Sequence, residues 1–180
     1  MTTRVYKLTT QQNTTHNDTP WGTNVSHKTD GEGDLCGPGW LHAYTDPLLA
    51  VLLNPQHANI INPKLWLAYG SGQHKNDNGL KVGFTKLTTK QELPLPVITA
   101  TQKIAFGILC ALEVYKAPTF VSWALKWLSG EDRSIEVAYA AGAAYDAYAA
   151  YAASAADAAG AAGKPLNLKA LAKKAMKVKP

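Results

Sequence analysis

The chain reads as an α+β fold: a small, mainly antiparallel sheet with one short inserted helix, followed by C-terminal helices that include a long alanine-rich one. Three observations predict it. Leu80, Val82 and Phe84 alternate with Lys81, Gly83 and Thr85, the two-residue period of a half-buried strand. After Pro96 the apolar residues recur at three- and four-residue steps, the period of a helix with one buried stripe. Of the 25 residues from Ala138 to Ala162, 16 are alanine, which has the highest intrinsic helix propensity. The expected organisation is a mainly β body over residues 1–98, helices over 99–130 packed on that body, an alanine- and tyrosine-rich helix over 131–163, and a lysine-rich amphipathic helix over 164–180.

Within the body, Val5, Tyr6 and Leu8 among polar neighbours predict an opening strand over 3–9. Gln11 to Asp34 is rich in Thr, Asn, Asp and Gly, with Trp21 and Val25 as apolar anchors, and reads as a loop or an irregular edge hairpin. Gly37-Pro38-Gly39 then makes a turn that feeds a short strand through His42. Asp46 before Pro47 is a helix start, because a carboxylate accepts from an orphan amide while proline's missing N–H costs nothing in the first turn. The buried helix runs from Leu48 to Leu53 and stops near Asn54-Pro55. Leu65 to Tyr69 reads as a strand, Gly70 to Gly79 as a loop, Leu80 to Thr85 as a strand, and Thr88 to Leu93 as a further one, ended by Pro94 and Pro96.

In the second half, Thr99 or Thr101 caps a helix whose stripe is Ile104, Ala105, Ile108, Leu109 and Leu112, expected to cover the sheet. Pro118 opens the next helix, with Phe120, Trp123, Ala124, Trp127 and Leu128 on one side, and Ser129-Gly130 closes it. Ser134 caps the alanine tract. At 100° per residue from Tyr139, Tyr145, Tyr148 and Tyr151 fall at about 240°, 180° and 120°, opposite Glu136, Asp146, Ser154 and Asp157. Asn167 caps a last helix, with Leu168, Leu171, Ala172, Ala175 and Val178 on one side and Lys169, Lys173, Lys174 and Lys177 largely on the other.

A chain of 180 residues buries a core without crosslinks. Its net charge of +5 is local: Lys164 to Pro180 holds six lysines and no acid, which leaves 12 basic and 13 acidic residues before it. Nucleic acid is therefore expected to bind, if at all, through the C-terminal lysines and not through the body. Cys36 and Cys110 lie far apart and suit free thiols in a reducing compartment. The N-terminus carries no apolar signal-like stretch, and no run of about 18 residues is apolar enough to span a bilayer, so cytoplasmic residence without a membrane span is expected.

The candidate catalytic cluster is His42, Tyr44 and Asp46, which share a face if the strand continues that far. The competing reading makes Asp46 a helix cap, His42 a hydrogen-bonded turn residue and Tyr44 a core aromatic, and it is the favoured one. Cys36 lacks the histidine signature of a thiol nucleophile and reads as a turn residue. The five histidines never fall at helical metal-ligand spacing and no Cys-x-x-Cys is present, so neither a metal nor a cofactor is expected. Partner binding is assigned to Tyr145, Tyr148 and Tyr151 and to Lys169, Lys173, Lys174 and Lys177, because tyrosine is enriched at interfaces. The alanine-rich helix also allows self-association.

The segment Cys36-Gly37-Pro38-Gly39-Trp40-Leu41-His42-Ala43-Tyr44-Thr45-Asp46-Pro47, with Asn54-Pro55 and Gly79-Leu80-Lys81-Val82-Gly83, resembles a family of uncharacterised proteins from phages and mobile elements. Trp123 to Ser134 with the alanine repeats is similar to the tail of those proteins and of immunity proteins from toxin–immunity loci. The resemblance implies a small accessory protein, non-enzymatic, that acts on a host or phage protein and inhibits a host defence such as CRISPR. Two alternatives stand beside it: a divergent enzyme similar to ADP-ribosyltransferases that uses the His42/Tyr44 strand, and a nucleic-acid-binding accessory protein that uses the lysine tail.

Overall fold

Asn78 and Gly79, both with left-handed backbone (φ 45° and 84°), close a tight turn in which the Leu80 amide donates to the Asp77 carbonyl at 2.6 Å. An Asn-Gly pair adopts that conformation at little cost, and its twist matches paired strands. The turn belongs to a unit spanning Met1–Pro96, and a second unit spans Val97–Pro180. The computed structural model describes residues 1–133 and 144–179, residues 144–146 by backbone alone.

The strands of the first unit are β1 (Thr3–Thr9), β2 (Thr14–Thr15), β3 (Thr19–Pro20), β4 (Ser26–Lys28), β5 (Leu41–Ala43), β6 (Lys64–Asp77) and β7 (Lys81–Leu93). Two expectations change here. The loop expected over Gly70–Gly79 is mostly strand, and the two strands expected after Leu80 are one. Beyond Ser71 the β6 side chains are largely exposed and polar, so this stretch is held by pairing with β7 and carries no apolar alternation to betray it.

β1, β6 and β7 pair antiparallel in that order, and β4 and β5 lie end to end along the outer edge of β7. Tyr44, just past β5, exchanges backbone hydrogen bonds of 2.8 Å with Tyr6 of β1, so the far edge of the sheet meets its first strand and the sheet closes on itself. Closure removes open edges that would otherwise pair with other chains. Val5 opposite Ala68 and Ala43 opposite Val82 point inside, together with Phe84, Leu87 and Trp21.

Asp46 performs the capping expected of it: its Oδ1 accepts from the Leu48 amide at 2.9 Å, and α1 (Pro47–Leu52) buries Leu49, Ala50 and Leu52. α1 stops just before Asn54-Pro55, as expected, but the chain does not continue as a loop. A second short helix, α2 (Asn54–His57), starts there with Pro55 in its first turn, where no amide is required.

In the second unit, α3 (Ala100–Val114) opens on a reciprocal cap in which the Gln102 amide donates to Thr99 and the Thr99 amide to Gln102. Pro118 opens α4 (Pro118–Ser129), and Gly130 ends it with φ 85°. An 18-residue helix, α5 (Ala144–Ala161), and α6 (Leu168–Ala175), capped by Asn167, both pack on α3. Ala105 to Cys110 are consequently all buried, a wider apolar surface than the single stripe expected. The Ser134 cap, Glu136 and Tyr139 lie outside the described residues, as do the side chains of Tyr145 and Asp146.

Gly107 sets the distance between α3 and α5. A Cβ built there lies 3.1 Å from the Tyr148 carbonyl oxygen and 3.3 Å from its Cα, so the two backbones meet with nothing between them. Alanines at 149, 152, 156 and 159 supply the matching surface of α5 and are all buried.

Candidate functional site

Chemistry-bearing side chains gather in the first unit where residues 31–40 fold over the outer face of β5 and β7. Gly83 makes this possible: a Cβ there would collide with Leu35 Cδ1 and lie 3.1 Å from Trp40 Cβ. The covering segment is held by the Trp40 indole N–H and the Lys75 ammonium, which donate to the Gly33 carbonyl at 3.2 and 2.7 Å. Lys75 also sits 4.8 Å over the Trp40 ring.

Leu41 and Ala43 belong to the interior, so His42 between them faces outward, and its Nε2–H donates to the Leu35 carbonyl. Burial lowers the His42 pKa most, Lys7 and Lys81 lower it further, and the Leu35 bond and Asp77 oppose them. Tyr44 is buried, its ring stacked on His57 with centroids 6.0 Å apart, and burial pushes its hydroxyl pKa above the ordinary range. The three residues take the places of the favoured reading, and the alternative cluster of His42, Tyr44 and Asp46 is not assembled. The strand ends at Ala43, His42 turns to Leu35, Tyr44 turns to His57, and Asp46 bends away to cap α1.

Two lysines missed in the sequence complete this region. Lys7 shares the inward face of β1 with Val5 and is only 8% exposed; its ammonium donates to the His42 carbonyl at 2.9 Å and lies 4.8 Å over the Trp21 ring. Burial lowers its pKa from 10.5 to about 8. Lys81 follows the hairpin turn, and its ammonium contacts Cys36 Sγ at 3.1 Å and the Asp77 carboxylate at 3.6 Å. Cys36 is exposed, whereas Cys110 is buried in α3, where burial and Glu113 raise its pKa.

The second unit carries the expected interaction residues. The tyrosine face divides: Tyr148 is 3% exposed and lies against Gly107, which removes it from any docking surface, while Tyr151 is 48% exposed. Tyr151 shares the solvent side of α5 with Ser154 and Asp157 and does not oppose them as expected. The buried arc of α5 is centred on its alanines because α3 requires small residues there. α6 keeps the expected division, with Leu168, Leu171, Ala172 and Ala175 buried and Lys169, Lys173 and Lys174 exposed, and Lys177 is exposed just past its end. None of these four lysines forms an ion pair with the described residues.

Beside this lysine face, a groove of about 600 Å³ opens between the C-terminal ends of α3 and α5 and the start of α6. Val114, Ala158, Leu166 and Leu171 line it, with Glu113 and Lys164 as its charged residues. Ala170 also lines it, and Lys174 lies one turn further along the same side of α6.

Among the described residues, no group of three or more His, Cys, Asp and Glu side chains is placed to hold a metal ion. Nor is any helix among them long and apolar enough to cross a membrane. No protein-family model, curated protein or solved structure matches the chain.

Proposed function

We propose that the chain is a non-enzymatic binding module whose α6 lysine face and adjoining groove take an acidic segment of a partner protein. The observation that carries this reading is the set of Lys169, Lys173 and Lys174 on a helix docked firmly by its other side, with Lys177 just past its end, all exposed and without a carboxylate partner among the described residues. Such a face attracts negative charge, speeding encounter and fixing orientation. The groove supplies what charge alone lacks, an apolar recess for one or two side chains of the same segment, beside Lys164 and Lys174. A recess lined by Val114, Leu166 and Leu171 suits a peptide better than a phosphate backbone, which favours a protein over nucleic acid. The resemblance of Cys36 to Pro47 to phage and mobile-element proteins supports a host or phage protein as the partner, and inhibition of a host defence as the outcome.

A zero-length carbodiimide crosslinker, which joins lysine to carboxylate, tests this directly in cells that make the protein. Joined peptides should connect Lys169, Lys173, Lys174 or Lys177 to acidic residues of one partner, and they should disappear in the Lys169→Glu, Lys173→Glu, Lys174→Glu triple variant. Crosslinks that map elsewhere would refute the assignment. So would an association abolished by nuclease, or binding of a DNA duplex that the triple variant loses in its place.

A further inference from the structure

We propose that Cys36 and Lys81 are the two halves of an oxidative crosslink, a sulfenamide bond between Sγ and Nζ formed when peroxide reaches the Gly37-Pro38-Gly39 turn. The reactants already touch. The Lys81 ammonium donates to Cys36 Sγ at 3.1 Å although the residues are 45 apart in sequence. Cys36 is exposed and open to a small oxidant, while the Lys81 side chain is only 11% exposed and is steered by Asp77 Oδ2 at 3.6 Å.

The surrounding contacts hold this approach. The Gly37 amide donates to the Asp34 carbonyl at 2.8 Å, His42 fixes Leu35, and Lys75 and Trp40 fix Gly33. Reaction between groups so placed proceeds at a high effective concentration, with little ordering left to do.

In the first step Cys36 sulfur attacks one oxygen of hydrogen peroxide. The S–O bond forms, the O–O bond breaks, and the leaving hydroxide takes a proton to become water. The Lys81 ammonium then gives a proton to Asp77, and its freed lone pair attacks Sγ. The S–N bond forms, the S–O bond breaks, and the departing hydroxide leaves as a second water after taking up the proton that nitrogen releases. One thiol, one amine and one peroxide thus yield one sulfenamide and two waters, with sulfur oxidised by two electrons and peroxide reduced. A thiol reverses the bond by attack at sulfur, which returns the free amine. The product fastens the 31–40 segment to the start of β7, and capture by nitrogen stops further oxidation of the sulfur.

Peroxide treatment of the intact protein at low concentration, followed by tryptic peptide mapping without reductant, reads this bond. The expected product joins the Cys36 and Lys81 peptides, lacks two hydrogens, is not cleaved after Lys81, and separates on addition of dithiothreitol. Lys81→Arg, which keeps the charge but not the primary amine, should leave Cys36 as a sulfenic acid that dimedone traps at least several-fold more than in the parent protein. Equal dimedone labelling of the two proteins would overturn the proposal. So would parent protein in which Cys36 bears only oxygen while Lys81 is cleaved normally, or in which Cys36 pairs with Cys36 of another copy.

Discussion

Replacing Lys7 with methionine tests the burial of a charge inside the closed sheet. The lysine pKa falls from 10.5 to about 8 on folding through desolvation alone. At about 1.36 kcal/mol per pH unit, the charged form costs the folded state about 3 kcal/mol. Below pH 8 folded and unfolded chains both hold the proton, and the full cost is present. Between 8 and 10.5 the folded chain has released a proton that the unfolded chain still binds, so stability climbs with pH across that window. Above it the cost is gone. Lys7→Met removes the charge and keeps a flexible apolar stem beside Trp21, but it leaves the His42 carbonyl without its donor, a loss of about 1–2 kcal/mol. The variant should therefore be more stable than the parent at pH 7, by about 1 kcal/mol, and this advantage should vanish and reverse as pH rises to 10. Urea denaturation of both proteins from pH 7 to 10 measures the difference, in which groups common to both cancel. A parallel carbon-13 titration of the lysine ε-methylene should show Lys7 releasing its proton well below the other lysines. A constant difference between the proteins across the window, or a Lys7 that titrates with the surface lysines, would refute the reasoning.

Asp46→Ala should lower stability by about 1 kcal/mol in the same denaturation assay through loss of the α1 cap, and it should leave the His42 proton resonances titrating as in the parent. A large change at His42 would show that the two side chains communicate after all. Gly107→Val should cost about 2 kcal/mol or more in thermal melts followed by helical circular dichroism, because its Cβ meets the Tyr148 backbone and its methyl groups have nowhere to go.

Much of the β unit was legible because its signals are local. Asp46-Pro47 announced its helix there through a cap that spans only a few residues, and in the second unit Thr99, one of the two caps expected, proves to be the one used. The extension of β6 past Ser71 was not legible through periodicity, since pairing and not burial supports it. The Asn78-Gly79 pair was the available signal, as a short connection carrying Asn-Gly demands flanking strands. Lys7 was hidden because Tyr6 and Leu8 made the opposite face of β1 look like the buried one. The clue was that Val5, Lys7 and Thr9 share a side, so a buried Val5 draws the lysine inward. Cys36 and Lys81 had no readable connection, because their meeting depends on a loop folding across a hairpin 45 residues away.

The lysine face of α6 is a pattern that folding stability alone does not favour. Lys169 and Lys173 are like charges one helical turn apart, a pair costing about 0.2–0.5 kcal/mol, Lys174 and Lys177 add to the repulsion, and no ion pair with a described carboxylate relieves them. The helix tolerates this because Leu168 and Leu171 are buried, each contributing about 1.5–3 kcal/mol, several times the repulsion. Alanines on α5 extend the same logic, since close approach to α3 at Gly107 makes a firm platform from small side chains. Packing therefore holds positive charge that no described carboxylate pairs in a fixed geometry beside an apolar groove. On the proposed reading, an acidic segment seated there would remove the repulsion and fill the recess at once, so the features least useful to the free protein are those that a negatively charged partner would put to use.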